Sequence, residues 1–371
     1  MNSRERLLTA IKLGKTDRVP ISTYELVGYN SDAFENKEPS YKRLMDHIRE
    51  KTDCICMWDL KTDPSVAGTS CPELFDYEKI RGENYTDTIS TLNTPKGELT
   101  SIRRVFDDVV TSWEYKNWCA DTDDVDKIMS IPFKPLTYDD SDYKRIKEEV
   151  GDRGIIMASV GDPACIAMFF MEFGDAMVWA MTQTDHFAKT MDEMHRRNMI
   201  NIENMLKTRV VDLYRICGPE VITPPYLPPE YFSRFVKPYL KEIVELIHSY
   251  GGLARIHCHG RIGKVLDDIL ECGANGLDPC EAPPDGDITL GEIKQRVDGR
   301  LCIFGNLQLK LLEKSSKSEV RDEVIRCMDA AKKDGGYIIM PTAAPINIPL
   351  SPQTEENYMT FIDTALEYGQ Y

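Results

Sequence analysis

The chain has 371 residues, of which 42% are hydrophobic, and its formal net charge is −16 at pH 7. This acidity argues against nucleic acid or an anionic membrane as a partner, because either would require a basic face. The apolar runs are strand-sized, too short to cross a bilayer, and the N-terminus has no signal-peptide h-region. Eleven cysteines without regular spacing then indicate reduced thiols and a cytoplasmic protein.

Short aliphatic or β-branched runs alternate along the chain with helix-sized amphipathic segments. The eight runs are 18–26, 54–60, 154–162, 210–220, 253–260, 273–281, 301–307 and 336–345. Strands that alternate with helices predict a parallel sheet of the α/β class, and eight such units predict a closed (β/α)8 TIM barrel. We expect one barrel domain over residues 1–371, with an N-terminal helical extension.

Two of the helical segments carry clear signals. Residues 229–250 have apolar side chains at helical spacing, and Pro238 inside this segment should bend the helix. The helix predicted over 318–333 follows Ser316 and Glu319, which fit a capping box.

Residues 77–118 break the alternation of strands and helices. They contain alternating strand patterns with turns, among them Asn93-Thr94-Pro95-Lys96-Gly97, which predict a β-hairpin or meander. We interpret this stretch as a β-rich insertion after the second barrel strand, serving as a lid or a rim.

Polar side chains stand where the predicted strands end, which is where barrel enzymes carry their chemistry. They are Glu25, Asp59, Asp162, Glu220, His257 with His259, Glu281, Asn306 and Thr342. Most are carboxylates or histidines, which a purely structural barrel does not need and which a metal or acid–base site does.

The sharpest motif is Ile256-His257-Cys258-His259-Gly260. Residues two apart on a strand face the same way, so His257 and His259 can point together into the barrel mouth. With Glu281 or Glu220 from a neighbouring strand they would form a three-ligand zinc site with one open position. The alternative is that a histidine hydrogen-bonds a carboxylate and no metal is present.

The remaining strand ends suggest acid–base and substrate-binding roles. The candidate catalytic carboxylates are Glu25, Asp59 and Glu220. The candidate substrate-binding residues are Tyr24, Asp162, Asn306 and Thr342. For each carboxylate a structural role, as a cap or a solvated loop charge, is the alternative.

Several segments resemble the uroporphyrinogen decarboxylase / cobalamin-dependent methyltransferase superfamily, and together they cover nearly the whole chain. They are 3–8, 17–20, 229–240, 305–307, 335–345 and, resembling the histidine strand of the methyltransferases, 256–260. The resemblance implies a barrel fold and an activity drawn from that superfamily.

The chain departs from the superfamily at two places. The decarboxylase carries an arginine-rich motif after its first strand, whereas residues 22–26 contain Glu25 and no arginine, which disfavours a polyanionic porphyrin. The methyltransferases bind zinc through a His-x-Cys pair and a late cysteine; here the cysteine positions hold His259 and, near the last strand, Ala343. Imidazole and carboxylate ligands would make zinc a harder Lewis acid that prefers oxygen.

The resemblance and these departures imply a metal-assisted methyltransferase. A small O-methylated or N-methylated substrate would give its methyl group to the cobalt of a corrinoid (the methylcobalamin type) on a separate partner protein. Zinc would polarise the leaving oxygen, and Glu25, Asp59 or Glu220 would protonate it. The alternatives are a metal-free decarboxylase of the uroporphyrinogen type and a metal-dependent hydrolase on the same barrel. The sequence leaves a homodimer open.

Overall fold

Aliphatic runs form strands and amphipathic segments form helices throughout residues 1–371, all of which the structure, a computed structural model, describes. The strands are β1 (Cys54–Met57), β2 (Lys61–Thr62), β3 (Ser65–Val66), β4 (Thr69–Ser70), β5 (Phe75–Arg81), β6 (Tyr85–Thr94), β7 (Gly97–Phe106), β8 (Ser112–Lys116), β9 (Tyr138–Asp139), β10 (Gly154–Gly161), β11 (Leu213–Cys217), β12 (Leu253–His257), β13 (Gly276–Asp278), β14 (Cys302–Leu307) and β15 (Tyr337–Pro341). The α-helices are α1 (Ser3–Ile11), α2 (Lys42–Lys51), α3 (Thr122–Met129), α4 (Tyr143–Val150), α5 (Pro163–Met168), α6 (Phe173–Thr182), α7 (Thr184–Thr208), α8 (Pro229–Phe235), α9 (Lys237–Ser249), α10 (Leu266–Glu271), α11 (Leu290–Val297), α12 (Leu309–Lys314), α13 (Lys317–Ala331) and α14 (Pro352–Tyr368).

Seven strands pair in parallel in the order β1-β10-β11-β12-β13-β14-β15. The predicted first strand, 18–26, closes the sheet through a single bridge from Ile21 to Ile339. On its other side, the Asp53 N–H donates to the Ile21 carbonyl (2.8 Å). The segment is not a regular strand because Pro20 has no N–H and the Ile21 N–H donates to the Asp53 carboxylate (2.9 Å). The predicted α/β barrel is confirmed, with its first strand reduced to one bridge.

The helices begin and end largely where the sequence signals lie. The segment 229–250 forms two helices, α8 and α9, because Pro238 cannot donate a hydrogen bond to the preceding turn and the predicted bend becomes a break. The predicted capping box starts α13, where Ser316 and Glu319 each accept from the other's backbone N–H. No helix combines the length and the apolar character needed to cross a membrane.

Alternating side-chain directions along the strands create two apolar cores. Outward-facing residues pack against the helices in a cluster of 84 buried residues. Inward-facing residues form a cluster of 12, to which α1 contributes Leu7, Ala10 and Ile11. Because α1 also contacts the turn at 151–153 that precedes β10, it covers the N-terminal end of the barrel. A ligand therefore has to enter at the C-terminal end.

The region of the predicted insertion forms a four-stranded antiparallel sheet, β5-β6-β7-β8, after the second barrel strand. Leu92 and Leu99 of this sheet are buried in the outer core. Val109, in its last loop, forms a bridge with Asn347, which follows β15. The sheet is therefore attached to the rim near the last strand end.

Candidate active site

The polar part of the barrel interior is centred on Asp278, which ends β13 and has 0% of its surface exposed. Its Oδ2 accepts a hydrogen bond from Nδ1 of His257 (2.8 Å). Its Oδ1 lies 2.8 Å from Nε of Arg255, at an angle too poor for a hydrogen bond, so this contact is an ion pair. Burial opposes the negative charge, but Arg255 and His257 outweigh it and hold the pKa of Asp278 below its usual value.

Strand alternation places both partners of Asp278 inside the barrel. The odd-numbered residues of β12 face inward, and these include Arg255 and His257. Arg255 is fully buried, with its guanidinium 4.9 Å from the centre of the Phe304 ring. Burial lowers the pKa of Arg255, and Asp278 is the countercharge that stabilises the ionised form.

His257 lies between the carboxylate of Asp278 and the guanidinium of Arg215. Its Nε2 lies 2.9 Å from Nη2 of Arg215, on β11. A guanidinium can only donate, so Nε2 accepts, and the ring proton resides on Nδ1, where it is donated to Asp278. The ring is therefore neutral, in agreement with the burial that lowers the pKa of His257.

Arg215 connects this buried group to the barrel mouth. Its Nη2 also donates to the hydroxyl of Tyr24 (2.5 Å), and its Nη1 donates to Oε1 of Glu25 (3.1 Å). Its Nε is buried without a partner. Burial works against the charge, but neighbouring groups, led by Asp278, raise the pKa of Arg215.

Two consecutive residues, Tyr24 and Glu25, reach the same arginine because the chain turns sharply between them. Tyr24 has a φ of 56°, in the left-handed region that a residue with a side chain seldom adopts. Thr23 Oγ1 donates to the Leu26 carbonyl (2.8 Å) and fixes this turn. Tyr24 is buried, whereas the Glu25 side chain is 44% exposed. Such conformations concentrate at functional sites, and this one places a partly exposed carboxylate against Arg215 at the mouth.

His259 pairs with a different carboxylate. Its Nδ1 lies 3.1 Å from Oε1 of Glu281, and the Gly260 N–H donates to the other oxygen, Oε2 (2.9 Å). The two histidine rings meet edge to face, with centroids 4.7 Å apart. Burial opposes a charged ring, but Glu281 outweighs it and raises the pKa of His259. The side chain is 35% exposed, so a ring whose protonated form Glu281 favours is accessible to solvent.

The three residues predicted to bind zinc do not direct free lone pairs toward a common point. His257 uses Nδ1 toward Asp278 and Nε2 toward Arg215, whose positive charge would repel a cation. Both oxygens of Glu281 are engaged. Nε2 of His259 remains, and no three suitable donors are grouped together, as a zinc site requires. The donor set does not fit the predicted site, because His257 and His259 each pair with a different carboxylate.

The other two predicted catalytic carboxylates lie outside this network. Asp59 accepts from the Ser159 N–H (2.6 Å) and borders a cavity of about 300 Å³. It is open to solvent, yet protein atoms surround it closely enough to raise its pKa. Glu220 is half-buried and accepts from the Gly218 N–H of its own loop (3.0 Å). Asp59 therefore faces an open space, and Glu220 stabilises its loop.

Of the four predicted substrate-binding residues, Tyr24 reaches the network. Asn306 is fully buried, donates to the Cys280 carbonyl (2.8 Å) and accepts from the Cys327 thiol (3.4 Å). Thr342 is buried and accepts from the first backbone N–H of α12 (3.3 Å). Both side chains thus use their polar atoms in contacts within the protein.

Asp162, the fourth of these residues, is a buried helix cap. Its Oδ1 accepts from the Cys165 N–H (2.8 Å) at the start of α5, and its Oδ2 is buried without a partner. Burial raises the pKa of Asp162 to about 8. Gly218 packs so closely on it that a Cβ would lie 2.0 Å from Oδ1.

Three central residues were missed by the sequence reasoning: Arg215, Arg255 and Asp278. Arg215 and Arg255 are direct neighbours in the register of β11 and β12. Arg255 stands two residues before His257 and therefore shares its inward direction. The sequence did contain a signal for them. An arginine that faces inward from an aliphatic strand requires a buried acid as its partner.

Fold and site together define a (β/α)8-barrel protein whose C-terminal mouth is lined by arginine, histidine and carboxylate side chains. The profile of the family described as uroporphyrinogen decarboxylase (URO-D) matches residues 116–368. The chain therefore belongs to this family.

Two curated relatives represent two activities. The methylcobamide:CoM methyltransferase MtaA of Methanosarcina barkeri is 24% identical over 164 residues, which are 44% of this chain and 46% of that protein. The uroporphyrinogen decarboxylase of Microcystis aeruginosa (strain NIES-843 / IAM M-2473) is 23% identical over 247 residues, 64% of this chain and 66% of that protein. The chain thus spans about half the length of the first relative and about two thirds of the second.

Among solved structures, a methyltransferase from Methanosarcina mazei superposes with a TM-score of 0.61 at 16% sequence identity. The match covers 99% of both chains. At this identity it supports the fold alone.

The substitution Asp278→Asn tests the buried ion pairs. It keeps the size of the side chain but leaves Arg255 without its countercharge, so we expect the free energy of unfolding to fall by about 3–5 kcal/mol. Urea titration at neutral pH measures the change. The matched control, Asp46→Asn, removes the exposed partner of Lys42 and should change stability little. A loss no larger than that of the control would contradict the assigned countercharge.

The substitution Asp162→Asn tests the raised pKa of this cap. The carboxyl titrates near 8 in the folded chain and near about 3.9 in the unfolded chain, so wild-type stability should decline as pH rises between these values. The variant keeps the Oδ1 cap and lacks the titration. The free energy of unfolding of the variant, relative to that of wild type, should therefore rise by more than about 1 kcal/mol from about pH 5 to about pH 8. Urea titrations across this range measure the difference, and a difference independent of pH would refute the assignment.

Proposed function

We propose that this protein transfers a methyl group from a small O-methylated or N-methylated substrate to the cobalt of a corrinoid carried by a partner protein. The observation that carries corrinoid-linked methyl transfer is the similarity to the methylcobamide:CoM methyltransferase MtaA of Methanosarcina barkeri. The direction toward cobalt is proposed because this chain has His259 and Ala343 where those methyltransferases have the cysteines of a thiolate-rich site. The family also contains decarboxylases, but residues 22–26 here have no arginine that would hold a polyanionic porphyrin. That difference favours methyl transfer.

His259 is the proton donor in this proposal. When the bond between the methyl carbon and the substrate oxygen or nitrogen breaks, its electron pair stays on that heteroatom, which takes a proton from Nε2 of His259. Glu281, on the Nδ1 side, holds the ring and favours its protonated form. Solvent can return the proton because the ring is partly exposed. The corrinoid, when its partner brings it to the mouth, supplies the nucleophile that accepts the methyl group.

The other mouth residues hold and surround the substrate. Arg215 presents a fixed positive charge, and Tyr24 forms the wall beside it. Asp59 is the second candidate acid of the proposal, because it borders the cavity and burial raises its pKa. Zinc has no part in these steps, because His257 and Glu281 use their donor atoms on Arg215, Asp278, His259 and backbone, which leaves Nε2 of His259 as a single donor. All eleven cysteines are unpaired, which supports a reducing compartment such as the cytoplasm.

Metal-free decarboxylation is the second candidate. It is favoured by the similarity to a uroporphyrinogen decarboxylase over 64% of this chain, and by Asp59 and Arg215 as an acid and a cation at the mouth. A decarboxylase would release carbon dioxide from its substrate without any corrinoid. A metal-dependent hydrolase is less favoured, because three metal donors are not grouped at the strand ends.

The substitution His259→Gln tests the proton donor. Glutamine can donate a hydrogen bond but cannot give up a proton, so the rate of methyl transfer should fall by about 10²–10⁴-fold. The assay supplies reduced cobalamin and a panel of methoxylated and N-methylated compounds, and follows the cobalt spectrum. The matched control is His47→Gln: His47 also pairs with a carboxylate, that of Asp363 (3.0 Å), but between helices α2 and α14.

The two variants separate two failures. An unchanged rate in His259→Gln would remove this residue from the proton transfer while leaving the methyltransferase proposal in place. A wild-type protein that demethylates none of the compounds, and instead releases carbon dioxide from carboxylated ones, would overturn the methyltransferase proposal. The control should match wild type in either case.

A further inference from the structure

The fully buried charges of the barrel interior sum to one positive charge, which has to be balanced from the mouth. Three charged groups are buried there: Arg215 and Arg255 are cationic and Asp278 is anionic. His257 is neutral, because it accepts from Arg215 and donates to Asp278. A buried charge without a partner is strongly unfavourable, so the interior requires an anion at its open end.

Glu25 supplies that anion in the ligand-free chain, but it is an exchangeable partner. Arg215 is held by three groups, of which Tyr24 and His257 are buried. Glu25 is the third, and it is 44% exposed on a side chain that makes no other hydrogen bond. The Arg215 side chain is 8% exposed, and Glu25 lies against Nη1 at that opening. A ligand that enters the mouth therefore meets the contact between Glu25 and Nη1 first.

We propose that the substrate binds through a carboxylate that replaces Glu25 on Arg215. This inference rests on the proposed function and deepens it, since it assigns the methylated substrate to the class of small carboxylic acids. A carboxylate fits because Nη1 donates to a carboxylate oxygen with charge assistance, as it does to Glu25, while Nη2 stays engaged with Tyr24 and His257. In the absence of ligand, Glu25 occupies the same place and keeps Arg215 neutralised.

The same geometry sets the distance from the anchor to the proton donor. His257 contacts Arg215 through Nε2, and its ring meets the ring of His259 with centroids 4.7 Å apart. The anion anchor and His259 are therefore one imidazole apart. A substrate held by its carboxylate on Arg215 needs only a small body to bring its methylated heteroatom to His259.

Acetate and acetamide test the anchor without any assumption about the rest of the substrate. They have the same shape, and only acetate is charged. Thermal unfolding of the full chain is measured against each at constant ionic strength, and the shift in Tm gives the apparent affinity. We expect acetate, and not acetamide, to stabilise Glu25→Gln, with an affinity at least tenfold tighter than for wild type. Glu25→Asp, whose shorter side chain withdraws from Nη1, should also bind acetate more tightly than wild type does.

Two further variants complete the test. In Glu25→Gln combined with Arg215→Lys, the charge remains but no single ammonium can both contact Tyr24 and His257 and present a second nitrogen where Nη1 lies, so the acetate response should fall at least tenfold. The matched control Glu367→Gln frees an exposed arginine, Arg321, and should respond like wild type. Equal responses to acetate and acetamide, or equal acetate responses in Glu25→Gln and the control, would overturn the inference. Because no corrinoid is present, failure here is distinct from failure of methyl transfer.

Discussion

The arrangement of the mouth depends on the contacts of one carboxylate, Asp278, which has no exposed surface. It lies between Arg255 and His257, and the charge of Arg255 would be costly inside the barrel without it. Because Asp278 accepts a hydrogen bond from Nδ1 of His257 and keeps the ring proton there, Nε2 of that ring can accept from Arg215. Arg215 is thereby aimed at the mouth, where it meets Glu25. One buried acid thus sets a tautomer, orients a cation and determines which part of the molecule faces a ligand.

Two histidines separated by a single residue acquire opposite properties from two different acids. His257 is buried and shared between an acid and an arginine, and its pKa is lowered. His259 is partly exposed and paired with Glu281, and its pKa is raised. The neutral ring of His257 therefore orients Arg215, and the ring of His259 is the one we propose as the proton donor. This division of roles follows from burial and neighbouring charge, and it makes acid-assisted chemistry possible without a metal.

The fold could be predicted from the sequence because periodicity is local. Eight aliphatic runs separated by helical segments were enough for the barrel, and Ser316 with Glu319 marked the start of a helix. The exceptions have local causes as well: Pro20 reduced the first strand to a bridge, and Pro238 divided a helix. The histidine strand and the mouth position of Tyr24 and Glu25 were also within reach of the sequence.

The contacts within the site were harder to predict from the sequence, because they join residues that are far apart in the chain. Position at a strand end does not give the direction of a side chain, and Asp162, Asn306 and Thr342 all turned into the packing. The pairing of Arg255 with Asp278 depends on the register of two strands, which no short motif encodes. For the same reason the sequence could place His257 at the mouth but could not reveal that Arg215 occupies its free nitrogen.

The most direct test of this account is the state of the His257 ring, measured by ¹⁵N NMR with His257→Gln to assign its signals. Because the pKa of His257 is lowered, we expect a neutral ring with the proton on Nδ1 that does not titrate at the usual histidine pKa and is unchanged when zinc is added. Titration of the ring near the usual histidine pKa, or a shift of Nε2 upon addition of zinc, would contradict the Asp278–His257–Arg215 arrangement. The latter result would restore the three-ligand metal site that the sequence first suggested.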